Sequence, residues 1–102
     1  MKFVVLDAFK ADYRRLSPAD QATFKQALSD FVAACDRYAA DPSTTWPASL
    51  RVRKVASAPG IWEMTWSFSG PDGRATFEWV EVGGSLAVRW RRIGDHRIFR
   101  KP

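Results

Sequence analysis

Two repeat lengths divide the chain. Residues Lys2 to Leu6, KFVVL, form a short apolar, β-branched run with the composition of a buried strand. From Asp7 the spacing lengthens: Phe9, Tyr13 and Leu16 recur at i, i+4 and i+7, on one face of a brief helix that Asp7 is placed to cap. SPAD, Ser17 to Asp20, predicts the start of a second helix, with Ser17 as N-cap, Pro18 at the first helical position and Asp20 three residues after the cap. Phe24, Leu28, Phe31, Val32 and Cys35 continue on one face, so this helix is predicted to reach about Ala40, where DPSTTWPAS breaks it. Beyond that loop the period becomes two, and three strands are expected.

Turn chemistry sets a register for those strands. Gly83 and Gly84 make a two-residue hairpin loop, and GPDG, Gly70 to Gly73, places Pro71 and Asp72 at the centre of another. With two-residue loops at both turns, Trp66 stands opposite Phe77, and Phe77 opposite Trp90. Met64, Trp79 and Val88 form the next row of the same apolar face. The other face reads Thr65, Glu78, Arg89, then Ser67, Thr76, Arg91, with Arg74 at the end beside Ile93. The whole is predicted to be one α+β domain over residues 1–102: an N-terminal strand and a helical hairpin packed on one face of an antiparallel sheet of about four strands.

Composition narrows the function classes. In 102 residues, 46% apolar with five tryptophans, a core forms without crosslinks. Sixteen Lys and Arg against eleven Asp and Glu leave a net charge of +5, which favours a polyanionic partner, nucleic acid or an acidic protein. One cysteine and one histidine provide neither an internal disulfide nor a metal cluster, so no metal or other cofactor is expected. Cys35 on a helix stripe favours a reduced, cytoplasmic setting. FVVL is too short for a signal peptide or a membrane span, so no membrane association is expected.

Candidate chemistry gathers at the C-terminal end. WRRIGDHRIFRKP, residues 90 to 102, holds the only histidine, His96, and with Arg89 just upstream five arginines lie in and around it. Neighbouring cations favour the uncharged ring, a state suited to begin as a base. Two readings compete for the polar face: the solvated side of an antiparallel sheet, in which Glu78 and Arg89 are an ordinary cross-strand pair, or a shallow basic cleft for a phosphodiester. In the second, Arg74, Arg91, Arg92 and the RVRK segment with Arg51, Arg53 and Lys54 converge near His96. Chemistry on a phosphodiester needs a base, a charge stabiliser and an acid. His96 is the natural acid or base, Arg74 the stabiliser with Arg91 or Arg92 in support, and Glu78, or else Glu63, the carboxylate placed to act as base. Arg51, Arg53, Lys54 and Arg89 would hold the backbone.

These residues carry a resemblance. The leucine-arginine segment of SLRVRKVASAPGIWEMTWS, the arginine opening GRATFEWV and the closing RRIGDHRIF, in this order of elements, resemble the RelE/ParE toxin superfamily over essentially the whole chain. The R-x-G-x-H pattern followed by an aromatic is similar to the YafQ-like branch, which implies that His96 is catalytic, and Arg74 matches the strand arginine that acts on the scissile phosphate. The resemblance implies a toxin of a toxin-antitoxin system: a ribosome-dependent messenger-RNA endonuclease, held inactive in a hetero-oligomer by a cognate antitoxin. The chain departs from the RelE type in having Glu63 and Thr65 where two lysines stand, and Phe99 near the place of a catalytic tyrosine. It lacks the additional histidines of the YafQ type. The alternatives are a ParE-like inhibitor of DNA gyrase that acts by binding, and a non-catalytic basic module that holds an acidic protein.

Overall fold

A computed structural model describes residues 1–68 and 72–102. The chain runs β1 (Lys2–Val5), α1 (Asp7–Arg15), α2 (Pro18–Ala40), β2 (Arg53–Lys54), β3 (Trp62–Ser67), β4 (Gly73–Val82) and β5 (Ser85–Gly94), with short 3₁₀ turns at Ala48–Leu50 and His96–Arg100. The α+β arrangement of a helical pair on one side of a sheet is as expected. The sheet has five strands, however, in the order β1-β5-β4-β3-β2, and it is mixed, because β1 lies parallel to β5. A strand that reads as apolar and β-branched does not reveal which neighbour it will choose or in which direction. β2 was hidden in the charge run RVRK: only Arg53 and Lys54 pair, with Glu63 and Trp62 of β3.

Local chemistry explains the helix ends. The Ser17 side chain accepts a hydrogen bond from the Asp20 N–H at 3.1 Å, and Pro18 opens α2 where no intrahelical donor is required. Asp7 does not cap α1. Leu6 occupies that position without a side-chain bond, and Asp7 is instead the first helical residue, where its charge complements the helix dipole. Gly83 and Gly84 both have positive φ (58° and 79°), the left-handed region that a two-residue type I′ hairpin needs, and Val82 pairs with Ser85 across them.

The register shows two departures. On β4 and β5, Phe77 faces Trp90, Glu78 faces Arg89 and Trp79 faces Val88, as the two-glycine turn dictates. On β3, Trp62 rather than Trp66 faces Phe77, and Met64 faces Ala75. The connection from Ser67 to its partner Gly73 spans residues 68–72, longer than two; Gly70 and Pro71 of the expected turn lie outside the described residues. Up to Thr65 the displacement is four residues, and because four is even each of those side chains keeps its face; a bulge between Thr65 and Ser67 then brings Ser67 opposite Gly73. Trp66 is therefore still buried, but its indole lies against Gly73 and donates from Nε1 to the Arg74 carbonyl at 2.9 Å. The second departure is a bulge in β5: Phe77 pairs with Trp90 but Thr76 pairs with Arg92, leaving Arg91 as an extra residue. Arg74 consequently stands beside Gly94 and not Ile93.

The helix-facing side is an aromatic core centred on Trp90, whose ring lies 5.0–5.6 Å from those of Phe9, Phe24, Phe31 and Phe77. A second cluster pins the end of α2, with Tyr38 stacked on Trp46 at 5.1 Å and on Trp79 at 5.0 Å. Such pairs add about 0.5–1.5 kcal/mol each beyond burial.

Trp66→Ala is expected to destabilise by roughly 3–5 kcal/mol, from lost burial and a residual cavity. Gly73→Ala should destabilise too, since a methyl there runs into the Trp66 indole. Denaturant unfolding monitored by circular dichroism checks both, and an unchanged midpoint for either would contradict this packing.

Candidate functional site

The side of the sheet away from the helices presents Glu63 and Thr65 from β3, Arg74, Thr76 and Glu78 from β4, and Arg89 and the bulged Arg91 from β5. It was expected to lie open, and half of it does not. The chain beyond β5 turns back across it. Asp95 caps the final turn by accepting from the Arg97 N–H, Ile98 settles over Gly94, and the Pro102 main-chain oxygen accepts from Thr76 Oγ1 at 2.9 Å and Arg91 Nε at 3.1 Å. Glu63, Thr65, Arg74 and Thr76 are all buried.

Arg74 is the unusual member. Its side chain is 3% exposed, 3.3 Å from Asp72 through Nη2 and 3.9 Å from Glu63 through Nε. Neither Nε nor Nη1 has a hydrogen-bond partner among the described residues, and the same holds for Thr65 Oγ1 on the directly paired position of β3. Leaving buried donors of a cation unmet is costly, so such atoms mark a place where another group belongs. Glu63 is shared between two guanidiniums, because it also accepts from Arg53 Nε at 2.9 Å.

The remaining predicted residues fall into separate groups. Arg89 and Arg91 both grip Glu78, at 3.1 and 2.5 Å. Burial by itself would raise the Glu78 pKa, but hydrogen bonds from Arg89 and Arg91, with their charges, outweigh it and hold the carboxylate below its ordinary range. Arg92 leaves the face: it binds Asp12 of α1 through Nε at 2.6 Å and Nη2 at 3.1 Å, which raises its own pKa. Lys54 lies over the Trp62 ring at 5.6 Å, while Arg51 is exposed, in a left-handed conformation (φ 45°) that ends the 3₁₀ turn before β2. His96 is exposed, with its ring edge-on to Phe99 at 5.5 Å; no hydrogen bond or ion pair joins it to Arg74 or Glu78 among the described residues. The structure thus unites Arg74, Glu63 and Arg53, and separately Glu78, Arg89 and Arg91, while His96 stands on the segment that folds back onto Thr76, Arg91 and Gly94.

Asp12 was missed in the sequence. It is buried, accepts from Arg92 and from the Ile93 N–H at 3.2 Å, and so fills the edge of β5 just beyond the point where β1 stops pairing. A carboxylate on an otherwise amphipathic first helix was the available signal. Cys35 is buried and its thiol is pushed up to about 12, first by burial, so it offers no nucleophile. No cluster of metal-ligating side chains occurs among the described residues, and no described helix is long and apolar enough to cross a membrane.

No family model matches the chain, and no curated protein matches its sequence. Among solved structures, a YoeB/ParE toxin from Agrobacterium tumefaciens superposes with a TM-score of 0.56 at 13% identity, over 94% of this chain and 99% of that one. The two share a fold.

The Glu78 group gives a pH prediction. A carboxylate whose pKa is lower folded than unfolded contributes stability above the unfolded value and loses it as pH falls through the folded one. Stability should therefore decline from about pH 4.5 downward, and Glu78→Gln should flatten part of that decline. Thermal midpoints of both proteins between pH 3 and 7 check this; parallel curves would remove Glu78 from the acid response.

Proposed function

We propose that this protein is the toxin of a toxin-antitoxin pair and that it cleaves messenger RNA on the ribosome. The observation that carries the reading is Arg74: a buried guanidinium with two unmet donors, beside an unmet hydroxyl at Thr65, on a fold shared with a bacterial toxin along nearly the whole chain. A phosphodiester oxygen supplies the acceptors these donors lack. Residues 95–102 lie against Thr76, Arg91 and Gly94, the position paired with Arg74, and that segment carries His96, so access to this end of the face and acid-base chemistry are coupled in one piece of chain.

In this mechanism the 2′-oxygen attacks the adjacent phosphorus, the 2′-O–P bond forms and the P–O5′ bond breaks, leaving a 2′,3′-cyclic phosphate and a 5′-hydroxyl. Arg74 stabilises the charge that develops on the non-bridging oxygens. His96 takes or returns the proton, and its exposure lets it approach the substrate. Glu78, held by two arginines and depressed in pKa, is a weak base, and Glu63 beside Arg74 is the better-placed carboxylate. Arg53, Lys54, Arg51, Arg89 and Arg91 contact the RNA backbone as exposed or half-exposed cations. The antitoxin binds in the cytoplasm and keeps the enzyme idle.

His96→Gln should preserve the fold and lower cleavage of ribosome-bound messenger by roughly two to four orders of magnitude. Arg74→Ala should reduce it through lost charge stabilisation, with an altered response to pH. Mapped 5′ ends after incubation with programmed ribosomes provide the measurement. Cleavage at the parental rate by His96→Gln would remove the histidine from the mechanism, and harmless overproduction of the soluble protein in its natural host would count against a toxin.

A further inference from the structure

Beyond Ile98 the chain is tied to the sheet by main-chain oxygens. Of residues 95–102 only Ile98 is buried. The Lys101 carbonyl accepts from Arg92 Nη1 at 3.2 Å, and the Pro102 main-chain oxygen accepts from Thr76 Oγ1 at 2.9 Å and Arg91 Nε at 3.1 Å. Three side-chain donors from β4 and β5 thus converge on the oxygens of two consecutive residues. These bonds read no side chain of the tail, so any group that offers closely spaced oxygens meets the same demand.

The donors are aimed by groups other than the tail. The Thr76 hydroxyl accepts from the Arg92 N–H at 3.1 Å, which leaves its own hydrogen to donate. Asp12 fixes the Arg92 guanidinium through Nε and Nη2 and leaves Nη1 to the tail, while Glu78 takes Nη1 of Arg91 and leaves Nε. The β5 bulge is what brings both arginines opposite Thr76. Donors held in this way lose little freedom when a ligand arrives.

The charge of the cluster is unbalanced. Arg15 and Arg92 share Asp12, and Arg89 and Arg91 share Glu78, so four guanidiniums face two carboxylates. The Lys101 carbonyl, which is uncharged, answers none of that excess. A phosphate answers it with charge and oxygens together, the pairing for which the guanidinium fork is shaped.

We infer that Thr76, Arg91 and Arg92 form a phosphate subsite and that residues 99–102 occupy it as an internal competitor, closing this end of the sheet face until a phosphate displaces them. That the phosphate belongs to RNA rests on the nuclease reading above; the competition for the subsite does not.

A short 2′-O-methylated oligonucleotide, which keeps the phosphates and lacks the attacking hydroxyl, is a suitable probe. In ¹H–¹⁵N spectra of the full chain it should shift the Arg91 Nε–H resonance saturably. It should also speed hydrogen exchange at the Lys101 N–H, which is bonded to the Ile98 carbonyl in the closed turn. Inorganic phosphate alone should produce both changes at higher concentration. Ile98→Ala, which loosens the tail and leaves every donor in place, and a chain ended at Arg100 should each bind the oligonucleotide about tenfold more tightly, the factor expected when a site stands open in roughly one molecule in ten. Loss of the Lys101 charge works against this gain in the shortened chain. Arg91→Gln should weaken binding even there. If neither released variant binds more tightly, if the oligonucleotide saturates the protein with the Lys101 N–H still protected, or if Arg91→Gln keeps full affinity in the shortened chain, the inference is overturned. A tail that yields to the oligonucleotide in a protein that cuts no RNA would keep this subsite and overturn the nuclease; cleavage with the tail still in place would do the reverse.

Discussion

Trp90 is the residue on which the remainder of the molecule is hung. One indole touches rings from α1, α2 and β4, so the two helices and the central hairpin are positioned by the same side chain. Its backbone is equally occupied, since β1 ends its parallel pairing at Val5 opposite Trp90 and Leu6 donates to the Trp90 carbonyl before the chain turns into α1. Rings packed at about 5 Å interdigitate and tolerate little sliding. The stretch immediately after Trp90 can therefore depart from regular pairing without loosening the core, and all the charged machinery lies there or across from it.

That machinery shows a conflict between stability and use. A guanidinium at 3% exposure with two donor atoms unmet among the described residues is a cost to the folded state, only partly offset by carboxylates at 3.3 and 3.9 Å. The fold-back segment contributes bonds to Thr76 and Arg91 and the burial of Ile98, and it occupies part of the face beside Arg74. Elements that must open are drawn from the less stable part of a structure, and a short turn held by a few contacts fits that description.

The helices, their boundaries and the apolar face were readable because each has a local cause: a serine cap, a proline at the first helical position, two glycines in a tight turn, alternation along a strand. The central pairing of Phe77 with Trp90 follows from the glycine turn alone. What was not readable is non-local. The parallel choice of β1, the two-residue β2 inside a charge run and the fold-back of residues 95–102 depend on which surfaces are left to cover. The β3 register failed because it was tied to an assumed turn length, yet its faces survived by parity. The site suffered most. Charges that read as one cluster are divided by their own carboxylates: Glu63 takes Arg53 and lies near Arg74, Glu78 takes Arg89 and Arg91, and Asp12 draws Arg92 away. Sign and spacing along a strand do not specify partners that arrive from another element.

The bulge at Arg91 bears on how such a chain can vary in length. Trp90 and Ile93 both face the core, and the two residues between them oppose the single position Thr76. Removing one of the two arginines would leave a regular ladder with Trp90 and Ile93 still inward, at the expense of one ion pair, either the one to Glu78 or the one to Asp12. Most single deletions within a strand turn every later side chain to the wrong face; this one does not. The position is therefore a spare place in the sheet, where a lineage can gain or lose a residue, and exchange one charged partner for another, while the hydrophobic interior stays in step.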